Sequence, residues 1–120
     1  MSQRLANYLL TYRKHAGLSQ DEVAFLLGGR SGTKVSRYEQ AARLPTLETA
    51  LAYEAILGVP ARELFTGTFA KVEKATKERA ETLAREIRLS ARRDLQLTKQ
   101  KLTTLERVAS SPGSEPARFT

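Results

Sequence analysis

The chain has 120 residues, room for one compact domain with an appendage, which its length favours over two full domains. It contains no cysteine, which excludes disulfides and thiolate metal sites and fits a reducing cytoplasm. The net charge of +7 and pI of about 10.1 favour an anionic partner, nucleic acid first and an acidic protein or membrane surface next.

The opening stretch, MSQRLANYLLTYRK, has no long apolar segment. The longest apolar run anywhere, residues 23–27, is far short of the roughly 18 residues of a membrane span, so neither export nor membrane insertion is expected. Leu5, Leu9 and Tyr12, with Ala6 and Leu10 beside them, repeat at helical spacing up to a stop at Gly17 and predict a first helix. Ser19 followed by Glu22 spells a capping box, which predicts a short second helix over residues 20–27 that buries Val23, Ala24 and Leu27. Gly28 and Gly29 can close a tight turn. Ser31 then offers a cap for a third helix to about residue 40, which has little to bury beyond Val35 and part of Tyr38.

Pro45 and Thr46 open a fourth helix. Leu47, Leu51 and Ala55, with Ala50, Ile56 and Leu57, give it a wide apolar face that ends at Gly58. Val59 and Pro60 restart a turn of helix over residues 61–65, whose Leu64 and Phe65 can close the core. No alternating strand pattern intervenes, so the domain is expected to be all-α.

With these residues in view, GLSQDEVAFLLGG, then VSRYEQ, then LPTLETALAYEAILGVPARELF resembles the lambda-repressor-like helix-turn-helix proteins, often called the XRE family, over roughly residues 3–65. Two local departures stand out. The turn between Gly28 and Val35 is one residue longer than the commonest version, and Gln40 and Ala41 stand where the family often has Asn-Gly.

The resemblance implies that the third helix lies in the DNA major groove, narrowly anchored and polar outside. Thr33, Lys34 and Arg37 then face out as base-contacting candidates, while Val35 and Tyr38 face in. Arg37 leads because a guanidinium pairs bidentately with guanine O6 and N7. Gln20 is implied as a phosphate contact at the start of the second helix, with Arg30, Ser36 and Arg43 as flanking phosphate candidates. The family often pairs an arginine at the position of Arg13 with a glutamate at that of Glu39, so this pair is expected to be structural. Tyr8, Tyr12, Tyr53 and Phe25 read as packing residues and His15 as a solvated end-of-helix residue.

No catalytic set competes. With one histidine, no HExxH and no GxxxxGK(S/T), an enzyme would lack a nucleophile, base, metal cage or phosphate loop, so neither activity, metal nor cofactor is expected.

Past residue 69 the composition shifts to Ala, Leu, Glu, Lys and Arg, with neither Gly nor Pro before residue 111, which predicts a long helical extension. Phe69, Val72, Ala80, Leu83, Ile87, Ala91, Leu95, Leu102 and Leu105 trace a thin apolar stripe, with Thr76 and Thr98 in its gaps. Its spacing drifts from a clean heptad, so packing across a dimer is favoured over a regular coiled coil. Most of the surplus charge lies here, net +5 over residues 68–120 against +2 over residues 1–67. Arg85, Arg88, Arg92 and Lys99, with Arg93 and Lys101 beside them, could touch phosphates, hold an acidic partner or keep the helix solvated. Beyond Ser110, SSPGSEPARFT reads as a flexible tail.

The sequence therefore predicts an all-α protein: a five-helix lambda-repressor-like helix-turn-helix domain over residues 1–67, a helical extension over 68–109 for dimerisation or partner binding, and a tail over 110–120. The expected function is a cytoplasmic transcription regulator that binds double-stranded DNA at an operator as a homodimer. The alternative is an antitoxin or anti-activator of the same fold whose C-terminal helix binds a protein partner.

Overall fold

The computed structural model describes residues 6–90 and 95–111. Among them are seven helices and no strand, so the chain is all-α as predicted. Leu5, Ala91, Arg92, Arg93 and the tail beyond residue 111 lie outside the described residues.

The first five helices, α1 (Leu9–His15), α2 (Gln20–Leu26), α3 (Thr33–Glu39), α4 (Leu47–Leu57) and α5 (Ala61–Leu64), enclose one core. Leu9, Val23, Val35, Tyr53 and Leu64 are its fully buried side chains, one from each helix. Helices this short are marginal in isolation, so burial of one face of each, rather than propensity, keeps them folded. Tyr53 is the hub: its ring meets those of Tyr38 and Phe65 edge to face, each with centroids 6.2 Å apart, a geometry that adds to area burial. Burial, as the leading cause, raises the pKa of the Tyr53 hydroxyl, which finds no hydrogen-bond partner among the described residues.

Local chemistry sets the helix ends. The capping box forms: the Ser19 hydroxyl accepts from the Glu22 amide at 3.0 Å, and the Ser19 amide donates to the Glu22 carboxylate at 2.8 Å. Thr46 accepts from the Thr49 amide to start α4, and Gly58 ends it at φ 69. The Glu54 carboxylate then accepts from the Ala61 amide at the start of α5. One unforeseen contact ties the ends of the domain together, because the Tyr8 amide donates to the Leu64 carbonyl at 2.8 Å.

The expected face of α4 is corrected. Leu47 and Leu51 are 74% and 52% exposed and Ala55 is exposed with them. Ala50 and Leu57 of that face do pack on the core, with Tyr53 between them at i, i+3 and i+7. Phe25 is likewise 78% exposed rather than packed.

The chain divides into two compact units, the first ending at Phe69 and the second beginning at Ala70, so the division falls inside α6 (Thr66–Ser90). In the second unit α6 is followed by α7 (Leu95–Ala109). The two helices are joined by a hydrogen bond from Ser111, just past α7, to Glu73, and by an Arg88–Glu106 ion pair at 2.9 Å. Ala80 and Ala84 are the buried residues of α6 here, whereas Val72 and Leu83 of the expected stripe are exposed. Leu102 and Leu105 of α7 are half-buried.

Candidate nucleic-acid interface

The α2–turn–α3 segment carries the residues singled out from sequence except Arg13, on α1, and Arg43, beyond α3. Gly28 takes φ 87 just past α2, and the Gly28 and Gly29 amides donate back to the Phe25 and Ala24 carbonyls. Those two bonds satisfy orphan carbonyls at the end of α2 and turn the chain sharply. α3 starts without a cap of its own, because Gly32 has no side chain and Ser31 bonds only to the Thr33 hydroxyl. Asp21 supplies the missing acceptor from α2: its Oδ1 takes the Gly32 amide at 2.8 Å. Gly32 is buried hard against α2, where a Cβ would fall 2.8 Å from Gln20 Cβ and 3.1 Å from its carbonyl carbon. The glycine is thus needed for close approach of the two helices, and the carboxylate satisfies the start of α3.

The far end of α3 is also held. The Ala41 and Ala42 amides donate to the Tyr38 and Arg37 carbonyls, the paired bonds of a helix stop that needs a left-handed residue. Ala41 takes that conformation at φ 59, the positive-φ non-glycine among the described residues, at the place where the resembled family often has glycine. On the inner side, the Asn7 amide nitrogen donates to the Tyr38 carbonyl at 2.9 Å while its Oδ1 accepts from the Leu9 amide. One asparagine therefore starts α1 and clamps the end of α3.

Beneath α3 lies a polar network. The Glu39 carboxylate binds Arg13 through two bonds, Nε to Oε2 and Nη2 to Oε1, and Arg13 Nη1 donates to the Leu18 carbonyl. Both side chains are nearly enclosed, and the bond to Glu39, as the leading cause, raises the pKa of Arg13 against the lowering effect of burial. Gln20 Nε2 also donates to Glu39 Oε1 at 3.1 Å. The network thus joins α1, the start of α2 and the end of α3. It spends one of the two donors on Gln20 Nε2 and leaves the other for an outside acceptor.

Outward, Thr33, Lys34 and Arg37 are exposed, whereas Val35 and Tyr38 are buried. Two open hollows flank the helix. One of about 520 Å³ brings Gln20, Thr33, Ser36 and Arg37 together with Asp21; the other, of about 450 Å³, gathers Arg30, Thr33, Lys34 and Arg37. Arg43 is exposed beyond α3 and lines neither hollow. Asp21 and Asn7 were not singled out from sequence. The signal for Asp21 is a glycine at a helix start with no cap of its own; the Asn7 contact spans 31 residues and leaves no local mark.

Two helices joined by a glycine turn, the second anchored inward by Val35 and Tyr38 and polar outward, define a helix-turn-helix. A family model described as a helix-turn-helix domain matches residues 4–65, more than half of the chain, and the protein belongs to that family, in agreement with the XRE-like resemblance. No curated protein and no solved structure matches the chain. Among the described residues no cluster of His, Cys, Asp or Glu could hold a metal ion, and no helix is long and apolar enough to cross a membrane.

Proposed function

We propose that the protein is a sequence-specific transcription regulator of the cytoplasm that occupies an operator as a homodimer. The observation that carries this is the division of α3: Thr33, Lys34 and Arg37 are exposed on a helix whose Val35 and Tyr38 are buried. α3 enters the major groove with Arg37 reading guanine, Thr33 touching a thymine methyl and Lys34 on guanine or a phosphate. Gln20, Arg30, Ser36 and Arg43 bind phosphates and set the register. Residues 1–67 carry this role, and residues 68–109 bring two copies together so that two half-sites about one helical turn apart, roughly 34–36 Å, are read at once.

Selection of bound fragments from random DNA by the purified protein tests the reading. A recovered motif with two half-sites at that spacing is expected; recovery of unenriched DNA would overturn it. Exposed Leu83, Leu89, Leu95 and Leu97 in the second unit support the second reading, an antitoxin or anti-activator that captures a protein through the extension. That reading takes over if no motif is enriched.

A further inference from the structure

Most charges along α6 are matched by an opposite one on a neighbouring turn; Lys71 near its start is not, and neither are two charges around Leu83. Glu73, Glu78 and Glu81 each have an opposite charge four residues away, at Lys77, Lys74 and Arg85, the spacing at which helical charges support one another. Arg88 pairs with Glu106 of α7. Arg79 and Glu86 have no such neighbour. Three and four positions to either side of Arg79 stand Ala75, Thr76, Thr82 and Leu83, and about Glu86 stand Thr82, Leu83, Leu89 and Ser90. Both are exposed, and neither forms an ion pair among the described residues.

Seven residues apart is close to two helical turns, so Arg79 and Glu86 share one stripe. Leu83, 46% exposed, sits between them, and Val72, seven residues before Arg79, continues the line. Glu78, Arg79, Thr82, Leu83 and Glu86 border an open hollow of about 400 Å³. The stripe is self-complementary in one direction only. Two parallel copies would set Arg79 against Arg79 and Glu86 against Glu86, whereas two antiparallel copies set each arginine against the other's glutamate.

We propose that this stripe is a contact between two copies of the chain: α6 packs antiparallel on α6 of the partner subunit, with Arg79 of each meeting Glu86 of the other. The two-fold axis then passes between Thr82 and Leu83, so the two Leu83 side chains meet at the centre with an ion pair on each side. Exposed pairs add little strength, but they set register and orientation and penalise the wrong arrangement. The apolar content is small, so the pair is a weak one that a second DNA half-site reinforces. This interface rests on the homodimer of the proposed function but not on its DNA contacts.

Sedimentation equilibrium of the full chain without DNA, over about 1 to 100 μM, tests it across the range of weak pairs. Dimers are expected for the wild type. Arg79→Glu and Glu86→Arg, which place like charges together twice, should each weaken the dimer by about tenfold or more. The double variant Arg79→Glu/Glu86→Arg should restore it, and Lys74→Glu, off the stripe, should leave it unchanged. Helicity measured by circular dichroism accompanies each variant, and the restored dimer of the double variant separates loss of pairing from loss of fold. A wild type that stays monomeric, single variants that pair as well as the wild type, or a double variant that stays apart overturns the interface. A monomer that still selects one motif from random DNA would sink this contact and leave the DNA reading standing.

Discussion

Ala41 holds the left-handed backbone at the end of α3, at φ 59, where a Cβ crowds the following carbonyl and costs roughly 1–2 kcal/mol. The bonds it secures, from its own amide and that of Ala42, are backbone bonds that glycine would keep. Ala41→Gly is therefore expected to stabilise the protein by about 0.5–1 kcal/mol after the added freedom of the unfolded chain is deducted. Denaturant midpoints check this, and a lower midpoint for the variant would contradict it. Arg37 and Arg43 differ at the same scale. Arg37 lines both hollows beside α3 and Arg43 lines neither. Arg37→Ala should cost about 1–3 kcal/mol per half-site on the selected motif and relax the preference at one base pair, while Arg43→Ala should weaken all sequences alike. Titration of both variants on motif and scrambled DNA separates the roles; equal losses on both DNAs for Arg37→Ala would remove it as a base reader.

At the scale of elements, the placement of α3 depends on Gly32. A Cβ there would meet Gln20 Cβ at 2.8 Å and backbone at 3.1 Å, so the helices must part. Gly32→Ala should destabilise the fold by about 1–3 kcal/mol and weaken motif binding more than binding to scrambled DNA. Unchanged stability together with unchanged preference would show that the close approach is dispensable. How much of this was readable in advance follows the range of each interaction. Ser19 and Glu22 act within one turn, and their capping box was legible as written; Gly28 and Gly58 are stops for the same local reason. The face of α4 was legible only in part: Ala50 and Leu57 were read in it, but Leu47, Leu51 and Ala55 form as regular a stripe, and the choice between them is made by Tyr38 and Phe65 packing on Tyr53. Neither was the Asp21 bond to Gly32, which joins a side chain of one helix to the backbone start of another. In the extension, composition announced helix, but Leu83 and Leu95 of its stripe are exposed while Ala80 and Ala84 are buried, since small residues let helices approach closely. At the candidate site, the outward set of α3 followed from Val35 and Tyr38 facing in, whereas the bond of Gln20 to Glu39 lies beyond any local pattern.

For the molecule as a whole, the charge of +7 is unevenly shared, with net +5 in residues 68–120. A basic domain on a polyanion releases counterions in proportion to the phosphates it neutralises. In the proposed homodimer, two copies joined through residues 68–109 would double that number and hold the second α3 near its half-site once the first has bound, an effective concentration that adds affinity without new contacts. Base readout and phosphate neutralisation predict different dependences, the first on sequence and the second on salt, so both are visible in one titration. The direct test is the affinity of the full chain for its selected motif and for scrambled DNA of equal length, measured from about 50 to 200 mM salt. The expected result is a preference for the motif at every salt concentration and a linear fall of log K with log salt of about 0.9 per phosphate contacted, three to five decades over that range for roughly six to ten contacts. Equal affinity for the two DNAs, or an affinity that does not change with salt, would contradict DNA recognition by α3.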